Sequence, residues 1–237
     1  MSKRFETTRW SVVLAAREAP TSVAREALTT LCEAYWEPLY AFIRRQGHSV
    51  EAAEDLTQGY FALLLEKHYL NGVDPSKGRL RSFLLASVKH FLANEWDKER
   101  ALKRGGEVDL IPLDRETAET RYRELAVEEL TPEKIFERRW ARTVLERVLD
   151  KLQQEAVSKG KQDHFELLKP YLIGGEQTMP YRPIAEQLGT SESAIRTAVY
   201  RLRRRFGHLL RDEIADTVAS KSDVDAELRH LLKVMGS

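Results

Sequence analysis

The chain has 237 residues, 42% hydrophobic and 32% charged, a composition of soluble globular type that is long enough for one large or two small domains. Its 38 basic and 37 acidic side chains leave a net charge of +1, which by itself speaks weakly against nucleic-acid binding, so the placement of the charges decides. The single Cys32 excludes an internal disulfide framework, and no stretch is apolar enough to span a bilayer or act as a signal peptide, so a cytoplasmic protein without membrane contact is expected.

Thr7 or Thr8 can cap a short, peripheral helix carrying Trp10, Val13 and Leu14, and Pro20-Thr21-Ser22 separates it from the next. That second helix runs through Leu31 and Tyr35 and resumes with Leu39, Phe42 and Ile43 beyond Pro38, where a kink or restart is expected. Gly47-His48-Ser49 ends it.

Ser49 is placed to cap a helix over VEAAEDLTQGYFALLLEK, with Glu51 in the first turn where the helix dipole favours a carboxylate. Ala53, Leu56, Tyr60, Leu63 and Leu64 form its core stripe. Glu51, Asp55, Gln58 and Glu66 form a polar stripe, with the small Gly59 and Ala62 between them. Such a flat face suits the close approach of a basic partner helix, and an ordinary solvated face has the same spacing.

Turn signals crowd residues 67 to 79, and they make no phosphate-gripping glycine motif. From Leu80 a helix resumes through Phe83, Leu84, Ser87, Phe91 and Leu92, with bases clustered from Arg79 to Arg104. Phe83, His90, Phe91 and Trp96 interleave with these cations. Such a combination can stack single-stranded bases while the cations follow the backbone, although most of these aromatics fit a core equally well and Phe91 fits it better.

Gly105-Gly106 opens an acid-rich, apolar-poor linker with one weak helix near residues 117–129. Thr131-Pro132-Glu133 supplies a cap, an N1 proline and a first-turn acid, and Phe136, Trp140, Val144, Val148 and Leu152 follow at helical spacing. Phe165, Leu168 and Leu172 then lead to Gly174-Gly175.

The segment YRPIAEQLGTSESAIRTAVYRLRRRFGHLL, residues 181–210, reads as a helix-turn-helix. Ile184, Ala185 and Leu188 give one apolar face, Gly189 permits the turn, and Thr190 or Ser191 can cap the second helix. In that helix Ile195, Val199, Leu202, Phe206 and Leu209 fall on one stripe. Ser193, Thr197, Tyr200 and Arg204 fall opposite, flanked by Arg196, Arg201 and Arg203, with no acid between Arg196 and Leu210. A cationic, hydroxyl-bearing face suits phosphates and base edges in a major groove, and a solvated arginine-rich helix is the alternative. Beyond Val218 the tail has apolar residues for one short helix at Val224, Leu228, Leu231 and Leu232.

Three of these segments together resemble the sigma-70 family of RNA polymerase specificity subunits, of the extracytoplasmic-function type. AAEDLTQGYFALLLEK resembles region 2.2, GRLRSFLLASVKHFLANEWDKERALKRGG the regions that follow, and the segment from Tyr181 region 4, in the family's order and approximate spacing over most of residues 31–218. The resemblance implies an all-α fold of two small helical domains: a region 2-like bundle over residues 1–104, an acidic linker over 105–131, a region 4-like helix-turn-helix domain over 132–218, and a tail over 219–237. It implies core RNA polymerase as a partner of Glu51, Asp55, Gln58 and Phe61. It implies −10 promoter contacts for Arg81, Lys89, His90, Asn94, Lys98 and Arg100, and −35 contacts for Ser193, Arg196, Thr197, Tyr200, Arg201 and Arg204. Many members have Arg-Asn where this chain has Lys89-His90. In the family the linker occupies the RNA-exit path, so the acidic run would mimic nucleic acid there or serve as a spacer.

An anti-sigma or other regulatory protein is a further candidate partner. Six scattered histidines, no metal-ligand spacing and no nucleophile motif point to a non-enzymatic protein without metal or cofactor. A stand-alone helix-turn-helix regulator or a sigma-like interaction module is the alternative to a polymerase subunit.

Overall fold

The structure is a computed structural model that describes residues 10, 22–65, 79–101, 115–126, 130–172, 180–218 and 220–236. Among these residues the regular structure is all α-helical, apart from short 3₁₀ turns and one isolated antiparallel bridge between Arg79 and Val218. The helices are α1 (Ser22–Arg45), α2 (Val50–Leu65), α3 (Leu80–Ala101), α4 (Arg115–Ala126), α5 (Pro132–Ser158), α6 (Gln162–Leu168), α7 (Arg182–Gln187), α8 (Glu192–Ala215) and α9 (Val224–Met235). The turn-rich stretch after α2, the glycine pairs at 105–106 and 174–175, and most of the N-terminal segment lie outside the described residues.

The chain forms two compact units, one of residues 1–143 with 214–237, the other of residues 144–213. These borders depart from the domain limits expected at 104, 131 and 218. The first turns of α5 and the C-terminal segment carry apolar residues that complete the first unit, so both belong to it. In α5 these are Ile135, Phe136 and Trp140, all buried.

In the first unit α1 packs on α2 and α4, and α2 packs on α3. The core is aromatic. Trp36 stacks on Phe61 at 5.6 Å, Tyr60 meets Phe91 edge-on at 5.7 Å, and Phe42 meets Phe136 edge-on at 6.5 Å. Each such side chain contributes about 1.5–3 kcal/mol by burial. Trp10 is also fully buried, 5.5 Å from Phe83, with its amide donating to the Asp216 carbonyl, so this residue is not peripheral. Of the kink or restart expected at Pro38, the restart does not occur: α1 is continuous through it. Burial of Trp36, Pro38, Leu39 and Tyr40 around the missing N–H holds the helix where propensity alone would end it. At its end Gly47 takes φ 98°, and the Ser49 hydroxyl accepts from the Ala52 amide at 3.2 Å to cap α2.

The described part of the acidic linker is a docked helix. Ala118, Glu119 and Tyr122 share one face of α4 and are buried. Glu119 accepts from the Tyr40 hydroxyl at 2.6 Å and from Arg44 at 3.0 and 3.1 Å, while the Arg44 guanidinium covers the Tyr122 ring at 5.0 Å. The Arg44 hydrogen bond is the largest influence that holds the Glu119 carboxyl down at about 2, and the Tyr40 hydroxyl adds to it.

In the second unit Leu168, Tyr171, Tyr181, Ala185, Ile195 and Val199 form the core, flanked by Ile184, Leu188, Ala198 and Leu202. Gly189, at φ 60°, ends α7 in a Schellman turn: its amide donates to the Glu186 carbonyl and the Thr190 amide to the Ala185 carbonyl. Ser191, not Thr190, caps α8 through the Ala194 amide at 3.2 Å. Glu213 is buried between Arg147, at 2.6 Å, and Lys151. Burial works against its charge, yet these two cations outweigh it and keep the carboxyl below its ordinary range.

Candidate nucleic-acid interface

The second unit presents the face expected of a reading helix. With Ile195 and Val199 turned into the core, the 3.6-residue period puts Ser193, Arg196, Thr197, Tyr200, Arg201 and Arg204 outside, and all six are exposed. Tyr200 is 65% exposed, a large aromatic that no neighbour covers. A shallow groove of about 330 Å³ runs along Arg196, Thr197, Tyr200 and Arg203.

Several of these groups are oriented from within the unit. The Arg196 guanidinium lies 5.9 Å from the Tyr181 ring, which itself sits 5.1 Å from Tyr171. The Thr197 hydroxyl donates to the Ser193 carbonyl at 3.0 Å, and the Ser191 and Ser193 hydroxyls are 2.9 Å apart. Arg203 donates to the Tyr171 carbonyl at 2.9 Å, which fixes it to the scaffold. Arg205 is paired with Glu155, whose carboxyl it lowers.

In the first unit the expected contact residues divide. Glu51 and Asp55 are exposed on the first turns of α2. The Glu51 carboxyl is held below its ordinary range by its own backbone amide and the Ser49 hydroxyl, so it is charged at neutral pH. Gln58 and Phe61 are not surface groups: Gln58 is buried, and Phe61 is 1% exposed in the aromatic core. Gly59 belongs to no open polar stripe either. A Cβ there would meet Phe91 Cζ of α3 at an ordinary 3.5 Å, so this position faces α3.

On α3, Lys89, His90 and Asn94 are exposed, and Trp96 is 67% exposed. Lys98 and Arg100 lie on the same helix, with side chains outside the described ones. Lys89 pairs with Glu133 at 2.7 Å with both side chains nearly half exposed, a contact of little stability. A cleft of about 510 Å³ opens beside these residues between Gln46, Gly47, His48, Leu56, Leu92 and Trp96. The sequence pattern did not point to Gln46 or His48 in it, because they sit in the α1–α2 turn, remote in sequence from the basic helix.

Arg81 departs furthest from expectation. It is 6% exposed: Nε and Nη2 donate to Glu227 at 2.9 and 3.3 Å, and Nη1 donates to Glu137 at 2.7 Å. Its Cζ lies 5.0 Å from the Trp140 ring. Burial opposes its charge, but the Glu227 hydrogen bond and the two carboxylates outweigh burial and raise its pKa. In this arrangement Arg81 is an internal ion-pair residue and not the surface contact expected of it. Glu227 was hidden in sequence because it stands as an acid within the apolar stripe of α9, whose buried members are Val224, Leu231 and Val234, while Leu232 is exposed.

Among the described residues no cluster of His, Cys, Asp and Glu could hold a metal ion, and no helix is long and apolar enough to cross a membrane. Comparison of the chain with protein-family models, with curated proteins and with solved structures finds no match.

Proposed function

We propose that this chain is a promoter-specificity subunit of RNA polymerase of the sigma-70, extracytoplasmic-function type, acting in the cytoplasm and without enzymatic activity of its own. The observation that carries the reading is α8: its apolar stripe is buried under α7 while six polar or basic side chains stand exposed on the opposite face. That face meets the requirements for docking in a major groove, with cations for phosphates and Arg196, Tyr200 and Arg201 within reach of base edges.

In this reading the −35 element is bound by α8, and the −10 element by the exposed end of α3, through Lys89, His90, Asn94 and Trp96 beside the cleft. Glu51 and Asp55 supply an acidic patch for core polymerase. Gln58 and Phe61 then act inside the fold, and Arg81 is held there by Glu227 and Glu137. Co-elution of the chain with core polymerase on gel filtration tests the reading, and failure to co-elute at micromolar concentration contradicts it.

A stand-alone helix-turn-helix regulator is the second reading. Burial of Gln58 and Phe61 favours it, since two of the four groups expected to meet polymerase are occupied in the core.

A further inference from the structure

The C-terminal segment is joined to the start of the basic helix α3 by backbone and side chain alike. The Leu80 amide, at the N-terminus of α3 where no intrahelical acceptor exists, donates to the Thr217 carbonyl at 3.0 Å, and Arg79 and Val218 form a bridge. Glu227 of α9 is 1% exposed and accepts from Nε of Arg81 at Oε1 and from Nη2 at Oε2, and Arg79 Nη1 lies 3.5 Å from that same Oε2. Glu137 holds the remaining arm of Arg81 and is itself 3.3 Å from His230 of α9.

We infer that α9 is a latch whose Glu227 carboxylate occupies the position that a nucleic-acid phosphate would take on Arg81 and Arg79. This rests on the nucleic-acid reading of α3. An arginine fork accepts a carboxylate and a phosphate through the same pair of parallel hydrogen bonds, so the two ligands are interchangeable in geometry. A buried arginine left without its anion is strongly disfavoured, so departure of Glu227 requires another anion to take its place, and a phosphate supplies one. α9 also touches the unit through one face, Val224, Glu227, Leu231 and Val234, and is entered through the exposed Ser220 and Ser222. It can therefore leave as a unit. The docked latch keeps Arg81 of α3 and the preceding Arg79 from contributing to binding, and release adds them.

The test is hydrogen exchange of the full chain with and without a mixed-sequence single-stranded DNA oligonucleotide, together with binding of that oligonucleotide by Glu227→Gln. The latch predicts that DNA speeds amide exchange across residues 224–235. It also predicts that Glu227→Gln binds on the order of tenfold more tightly, as a larger share of the protein is in the open state. DNA binding by the wild type with unchanged or slowed exchange in α9 overturns the latch and leaves the nucleic-acid reading standing, and this arm decides even if the variant does not fold. Equal or weaker binding by a folded Glu227→Gln overturns it as well. No binding by either protein overturns the nucleic-acid reading of α3, and the latch with it.

Discussion

Glu119 and Tyr40 share a buried hydrogen bond of 2.6 Å that pins the acidic segment onto α1. Glu119→Gln keeps the shape but removes the charge that Arg44 meets, and should lower stability by about 1.5–3 kcal/mol in urea denaturation at neutral pH. The pH dependence follows from the sign of the shift. The carboxyl is lowered to about 2 in the folded chain, so between the ordinary carboxylate range and that value the unfolded chain binds more protons. The stability it contributes is present above the ordinary range and is lost as pH falls toward 2. Wild type and Glu119→Gln should therefore converge in stability in acid, and a gap that persists below that value would show that the contact is not ionic.

Phe61→Ala distinguishes a core residue from a polymerase contact. Stacked on Trp36 and fully buried, Phe61 should cost about 3–5 kcal/mol when truncated, read as a drop in the denaturation midpoint. An unchanged midpoint would put Phe61 back on the surface.

Gly59→Ala should be neutral or stabilising by up to about 1 kcal/mol, because alanine favours a helix interior and its Cβ would meet Phe91 at an ordinary 3.5 Å. Gly59→Leu should destabilise by wedging α2 from α3. Thermal melts of the two variants check both directions.

Much of the fold was legible because the helical apolar periods are strong: Ala53, Tyr60 and Leu64 of α2 and the core stripes of α7 and α8 follow from spacing, whereas the buried Thr57, Gln58 and Phe61 of α2 do not. The turn at Gly189 was equally legible, since a glycine between two such stripes has one conformation to supply. What spacing could not convey is which partner covers a face. Gln58 and Gly59 looked like an open polar stripe until α3 proved to lie against Gly59. Arg81 looked like a nucleic-acid contact because its acids, Glu137 and Glu227, come from segments 56 and 146 residues away. α4 looked like a spacer because its buried face is held by one carboxylate and one tyrosine, a signal that hydrophobicity does not register.

Asp55→Arg separates the two proposed activities. The side chain is exposed, so the fold should be kept, association with core polymerase should be lost, and duplex binding by the full chain should be unchanged. Loss of both would make Asp55 structural.

Arg196→Ala should act the other way, leaving polymerase association intact while costing roughly 1–3 kcal/mol of discrimination between promoter sequences if Arg196 reads a base. Binding measured on a set of single-base variants checks this. A uniform loss across all of them makes Arg196 a phosphate contact, and its position over Tyr181 then serves to aim the charge.

Transcription from a randomised promoter library, by core RNA polymerase reconstituted with this chain, decides whether the protein selects promoters. Enrichment of templates sharing two separated elements, with start sites at a fixed distance that disappear with Asp55→Arg, is the predicted result. Start sites identical to those of core polymerase alone, from a chain that still binds duplex DNA, would contradict it and leave a stand-alone DNA-binding regulator.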